Sequence, residues 1–381
     1  MSISANIKSS LRGDRVIWAI VGILAIISVL VIYSSTGTLA YRQRGGNTSF
    51  YLVKQLIVLG FGFLMTYICY LLHYTKYSRL APILLAISVP LLLYTLFFGA
   101  DINSAKRWIS VPGLAMTFQT SDFAKLALII YIARVISSKQ EKIKGFRSAF
   151  LPIILPIVTI CFLIAPADLS TAAVLFVTCF IMMFIGRVDT KYIASLLLIG
   201  VFTFGIMVLI GYAYPNSVRV ETWTTRIKDF TTNSEGSYQN QQGKIAIANG
   251  GFFGKGPGNS TQRNYLPSPY ADFIFAIICE EYGLFGGAIM LGLYVLLFFR
   301  TATLVTKSPK TFGAILAIGL SLILVIQALA NMAVSVGLVP VMGLPLPMVS
   351  MGGTSSLFAC IAFGIILSVS KYIEQTKIEN N

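Results

Sequence analysis

Histidine is all but absent from this chain of 381 residues: His73 is the only one, and it falls at the end of an apolar run. Neither a Ser/His/Asp triad nor a histidine-rich metal centre can be assembled from it. Cysteine is sparse as well. Cys69, Cys161, Cys179, Cys279 and Cys360 are scattered through apolar stretches without the spacing of a zinc site or a disulfide framework, and they read as small buried hydrophobes. Acidic residues number 14 against 29 lysines and arginines, so a carboxylate placed at a membrane boundary is a functional candidate. Only 11% of residues are charged while 56% are hydrophobic, which excludes a soluble globule. No low-complexity tract, sharp internal repeat or soluble domain interrupts the pattern, and residues 1–381 read as one membrane domain.

What is present is a series of apolar spans of about 17–25 residues. An all-α polytopic membrane fold with about ten transmembrane helices is predicted, at 16–34, 51–72, 81–99, 121–136, 149–166, 169–186, 192–214, 273–299, 313–336 and 353–370. The first span is long and leads straight into others, as an uncleaved anchor does. With both termini in the cytoplasm, seventeen lysines and arginines fall on inner segments, whereas the short outer loops hold only Arg42, Arg44, Lys106 and Arg107. That topology accounts for the formal charge of +15 and implies no nucleic-acid partner. The long polar segment 215–271, between spans seven and eight, then lies outside, and connections of that length are usually functional. Within it, 238–249 suits a short interfacial helix with Ile245 and Ala248 on one face. The glycine-rich stretch 250–260 follows. It lacks the preceding strand and GK[ST] ending of a nucleotide loop, although amides freed by glycine could touch a lipid-linked phosphate.

Asp272 stands just after a Pro-x-Pro turn, Pro267 and Pro269, and just before a long apolar run, where water meets lipid. Aspartate at a helix start also serves as a cap, and both roles are open to it. Asp122 and Lys125 are three apart at the start of the fourth span, share a helix face and can pair. Asp168 sits in a very short outer turn and has the same choice between capping and function. Glu280 and Glu281 are expected to be structural. The stretch 337–356 interrupts the apolar pattern with three prolines and several glycines, and irregular backbone at membrane depth survives only against protein or a water-filled cavity. It should line the same cavity as Asp272.

Together these segments resemble the SEDS family (shape, elongation, division and sporulation), whose members are ten-span glycosyltransferases polymerising peptidoglycan. The resemblance rests on AKRWI (105–109), TSDFAKLAL (120–128), the Asp168 turn, QGKIAIANGGFFGKGPGNS (242–260), YLPSPYADFIFAIICEEYG (265–283), QALANM (327–332) and GLPLPMVSMGGTSS (343–356). GNSTQRNYLPSPYADFIFAI and QALANM are more similar to the cell-division branch, FtsW, than to the elongation branch, RodA. The resemblance implies lipid II as substrate at the outer face of the bacterial cytoplasmic membrane, Asp272 as the catalytic residue, and functional roles for Asp122, Lys125 and Asp168. It also implies a class B penicillin-binding protein, a single-span transpeptidase, as partner, with other divisome proteins and a location at the septum. Four departures stand out: Tyr270–Ala271 replaces His-Thr or His-Ser, Pro166–Ala167 replaces Gln-Pro, Met351 replaces a tyrosine, and Asp122 is one methylene shorter than the usual glutamate.

Inverting glycosyl transfer needs a base for the attacking hydroxyl, and a carboxylate raised in pKa by partial burial can supply it; Asp272 is that candidate. The departing pyrophosphate needs cations, for which Lys125, Arg107, Arg226, Lys244 and Lys255 are available. A divalent ion, magnesium or manganese, could act in the same way, but no motif specifies one. Two other functions use similar residues: a lipid II flippase, and a non-catalytic scaffold for a transpeptidase.

Overall fold

Apolar runs that enter a membrane must satisfy every backbone amide internally, and helices do so. The computed structural model describes residues 12–102, 105–110, 117–213, 219–232, 238–308 and 310–379, so 215–218 and 233–237 of the long polar segment lie outside the described residues. Its helices are α1 (Arg15–Ser35), α2 (Gly37–Arg44), α3 (Ser49–Leu71), α4 (Tyr74–Phe98), α5 (Thr120–Ser138), α6 (Leu151–Ile164), α7 (Leu169–Ile185), α8 (Thr190–Ala213), α9 (Val220–Thr232), α10 (Tyr238–Gly250), α11 (Ile274–Lys307), α12 (Thr311–Val336) and α13 (Thr354–Glu379). The ten predicted spans coincide with ten of these. Among the described residues, eight helices are long and apolar enough to cross a membrane. The remaining two are α7, which is apolar but shorter, and α5, which carries Asp122, Lys125 and Arg134. The chain is a multi-pass membrane protein.

The all-α membrane architecture carries one small addition. Between α4 and α5 the chain forms an antiparallel three-stranded sheet, β1 (Ala100–Ile102), β2 (Ala105–Ser110) and β3 (Thr117–Gln119). Its register pairs Trp108 with Gln119 and Ile109 with Phe118. Strands this short carry too few residues to show an alternating pattern in the sequence.

At the centre stands α12, whose most apolar 18 residues are 89% buried against 17% for those of α8, and it packs on α5, α7, α10, α11 and α13. It stops at Gly337, whose left-handed backbone (φ 78°) lets its amide return to the last turn. At the opposite end of the bundle, Asp14 caps α1 through the amides of Val16 and Ile17 and binds Arg300 of α11 at 2.6 Å.

The glycine-rich stretch has a structural task. Helix α11 breaks at Gly283 (φ 70°, ψ −171°), and the chain at 250–256 lies across the break. The amides of Lys255 and Gly256 donate to the carbonyls of Glu280 and Glu281 at 3.0 and 2.9 Å, while those of Leu284 and Phe285 donate to Gly251 and Phe252 at 2.9 and 3.3 Å. A Cβ at Gly283 or Gly254 would collide with the facing backbone. Gly283→Ala should therefore sharply reduce the yield of folded protein, measured by size-exclusion recovery from membranes, whereas Gly292→Ala, in open space on the same helix, should not.

The 238–249 helix forms, as α10, and Ile245 and Ala248 share its exposed face, as expected of an interfacial helix. Asn240, Gly243, Ala246 and Gly250 face inward while Ile245 is exposed. Small residues win because α10 lies directly on α11, and backbones approach that closely only over glycine and alanine.

Candidate active site

One end of the bundle gathers the starts of α3, α5, α7, α11 and α13, the last part of α12, and the sheet. Between them lies a cavity of about 280 Å³ with Asp272 in its wall. Helix amino ends carry partial positive charge, so five of them at one place favour an anionic ligand. Lys54, Arg107 and Lys125 line the same cavity, as do Asp122 and Asp168.

Asp272 is held through its backbone. The carbonyl of Tyr270 accepts from the Met351 amide at 2.9 Å, that of Ala271 from Ser350 Oγ at 2.6 Å, and that of Asp272 from Asn331 Nδ2 at 2.8 Å. Asn331 Nδ2 also donates to the carbonyl of Leu344 at 2.7 Å, joining the aspartate turn to the 343–356 stretch. Three successive carbonyls are thus fixed from α12 and the loop before α13. A Cβ built on Gly343, a position in the left-handed region (φ 66°), would stand 3.7 Å from Asp272 Oδ2. The carboxylate is half-buried, and loss of solvent raises its pKa from the ordinary carboxylate range to about 6; Arg107 and Arg226 oppose the rise and Asp168 adds to it. Asn331→Ala should lower kcat on the order of 10²-fold, the cost of displacing a reacting group by about an ångström, while KM changes little. Steady-state polymerisation kinetics would show it, and unchanged kcat would remove Asn331 from the positioning of Asp272.

Asp122 and Lys125 are both buried and pair at 2.7 Å, so the shorter acid reaches its partner. Lys125 Nζ also donates to Gln327 Oε1 at 3.3 Å, and Gln327 Nε2 donates to the carbonyl of Pro345 at 2.8 Å. Asp122 Oδ2 has no partner among the described residues. Arg107, on β2, donates through Nε to the carbonyl of Ala167 at 2.8 Å and through Nη1 to Asp168 Oδ2 at 3.0 Å. Asp168 also caps α7 by accepting from the Thr171 amide at 3.1 Å, so its capping and cavity roles coexist.

The expected site residues therefore divide. Asp272, Asp122, Lys125, Arg107 and Asp168 line one cavity. Arg226, on α9, donates to the carbonyl of Val341 at 3.0 Å; burial lowers its pKa, and its charge acts on Asp272 from the edge of that cavity. Lys244 lies apart, exposed and packed over Gly337. Lys255 is corrected: its Nζ is bound to Glu280 at 2.9 Å and to Thr261 at 3.2 Å, away from the cavity. Glu280 is fully buried and also accepts from Ser260 Oγ and from the Thr261 and Gln262 amides. Glu281 accepts from Ser34 Oγ. Both glutamates are structural, as expected, because they anchor the 250–262 stretch at the break in α11.

Residues 14–375 match the family model of the cell cycle proteins FtsW, RodA and SpoVE. The chain belongs to this family, the SEDS family. Its relatives include the stage V sporulation protein E of Bacillus subtilis, 32% identical over 94% of this chain and 97% of that protein. A probable peptidoglycan glycosyltransferase FtsW of Geobacter sulfurreducens is 32% identical over 97% of this chain and 98% of its own. Among solved structures, a chain of a peptidoglycan synthase complex coordinating polymerization and crosslinking superposes with TM-score 0.70 at 26% identity, covering 95% of this chain and 99% of that one. The rod shape determining protein RodA of Thermus thermophilus gives 0.66 at 25% identity, covering 94% and 96%.

Within this SEDS site, sequence reasoning passed over Lys54, Gln327, Asn331 and Ser350 as working residues. Lys54 carried a signal, a lysine just inside an apolar span. Gln327 and Asn331 carried another, two amides four apart on one helix face. Ser350 had none, since its role depends on where a distant turn is held.

Proposed function

We propose that the chain polymerises the glycan strand of peptidoglycan, transferring glycosyl units from lipid II with release of polyprenyl pyrophosphate. One observation carries the reading: a half-buried carboxylate with raised pKa, Asp272, shares a cavity with Lys54, Arg107 and Lys125. Asp272 takes the proton from the acceptor hydroxyl as its oxygen bonds to the donor's anomeric carbon. The bond from that carbon to phosphate oxygen breaks on the opposite face, inverting the centre, and the pyrophosphate leaves with the electron pair. Arg107 and Lys125 meet the charge that accumulates on it.

Magnesium or manganese would coordinate pyrophosphate oxygens when bound. Among the described residues no three His, Cys, Asp or Glu side chains gather as ligands, so such an ion would rest mainly on substrate and water. No step above is routed through it. For the polyprenyl tail, an apolar groove of about 340 Å³ between α6, α7 and α8, lined by Phe162, Phe176, Val201 and Phe204, begins at Leu169 beside Asp168.

The active end is the outer end in this reading, because Arg134, Lys139, Lys142 and Arg300 belong to the other. The likeness to a synthase complex supports a class B penicillin-binding protein as partner, and the similarity to FtsW supports work at the division septum. SpoVE is as similar, so a tagged copy decides: septal fluorescence in vegetative cells supports division, fluorescence confined to sporulation refutes it. The activity is tested by incubating the purified protein and its transpeptidase partner with lipid II. Glycan polymer is expected; lipid II crossing vesicle membranes without any polymer would favour the flippase instead.

A further inference from the structure

A glycosyl transfer brings two saccharides to one base, yet the Asp272 cavity is built for charge. A second cavity, of about 410 Å³, lies next to it, within the size range of roughly 300–1,000 Å³ typical of ligand sites. The two have no lining residue in common but draw on the same two segments. The turn before α11 gives Pro267 to one and Ala271 and Asp272 to the other, and the stretch after α12 gives Val341 to one and Gly343 to Pro345 to the other. Arg226 stands at the junction, bound to the Val341 carbonyl and close enough to Asp272 to act on its charge.

The chemistry of the second cavity is different. Among the described residues its one cation, Arg226, and one acid, Asp229, offset each other, and the remaining polar groups are the amides of Gln239 and Asn240 and the hydroxyl of Tyr238. Phe230 and Tyr238 supply ring surface, and Tyr238 is 54% exposed. Rings that cover C–H faces and amides that bind hydroxyl and acetamido groups suit an uncharged sugar, whereas a pyrophosphate would find little there. We propose that this cavity, between α9, α10 and the Pro267 turn, is the acceptor subsite and holds a neutral N-acetylated sugar ring with its hydroxyl directed at Asp272. This rests on the glycosyltransferase reading and adds a place for the second substrate.

The probe is a soluble peptidoglycan tetrasaccharide without lipid or pyrophosphate, titrated into the purified full-length protein and followed by saturation-transfer NMR. Wild type binds it. Tyr238→Ala and Gln239→Ala are each expected to weaken binding about tenfold, the factor produced by ~1.4 kcal/mol of lost contact. Tyr238→Phe keeps the ring and stays near wild type, and Lys125→Met, altered only in the charged cavity, binds the tetrasaccharide within about twofold of wild type. No binding to wild type, or equal binding to Tyr238→Ala, overturns the subsite. Lipid II assays separate the two readings. Polymerisation with wild-type KM and strand length in Tyr238→Ala would sink the subsite alone; Tyr238-dependent binding by a protein that never polymerises would sink the enzymatic reading and leave a saccharide site.

Discussion

Asp272→Asn should lower the rate of lipid II polymerisation about 10²–10⁴-fold, the range a positioned general base contributes. The substitution is nearly isosteric, and the contacts that fix the turn run to the backbone carbonyls of residues 270–272, which it leaves alone. Recovery of folded protein should therefore match wild type while the amide, unable to take a proton from the acceptor, stops turnover. The rate is read from the initial appearance of polymer with saturating lipid II and partner. Asp272→Glu should fall between, since the extra methylene pushes the carboxylate towards the Gly343 backbone. Wild-type turnover by Asp272→Asn would mean the base lies elsewhere.

The second large effect is at Lys125. Lys125→Met should cost kcat about 10²–10³-fold, as removal of one preorganised donor does at sites of developing negative charge. It should also reduce the amount of folded protein, because Asp122 is left buried without its counter-ion, a loss of about 3–5 kcal/mol in comparable cases. The two consequences separate in the double variant Asp122→Asn/Lys125→Met. With no charge left to strand, its yield should recover towards wild type while its rate stays low. Recovery of the rate as well would show that Lys125 serves only to neutralise Asp122.

The sequence was informative where one physical constraint dominated. Long apolar runs predicted ten helices, and ten stand at those positions, because residues bound for lipid have no alternative way to satisfy their backbone. Asp272 stood out because charges at span ends are costly and few, Arg107 was one of several outer-face cations, and the family resemblance drew Asp122, Lys125 and Asp168 to the same function. Where short-range pattern competed with tertiary packing, the reading failed. Lys255 was one of the outer-face cations offered to the pyrophosphate, yet the glycines around it let the chain cross the break at Gly283, and Glu280 takes the lysine. Helix α9 and the small sheet were not anticipated, being too short or too polar to stand out.

The central claim is that Asp272 acts as a base in a partly desolvated cavity, and the pH dependence of kcat/KM for lipid II tests it most directly. Its carboxylate works only when deprotonated, so activity should be full above pH 7, halve near pH 6 and fall tenfold per unit below it. Because the Arg226 charge holds that pKa down, Arg226→Gln should move the acid limb to higher pH. A wild-type profile flat from pH 7 down to 5, or an acid limb that stays in place in Arg226→Gln, would contradict the assignment.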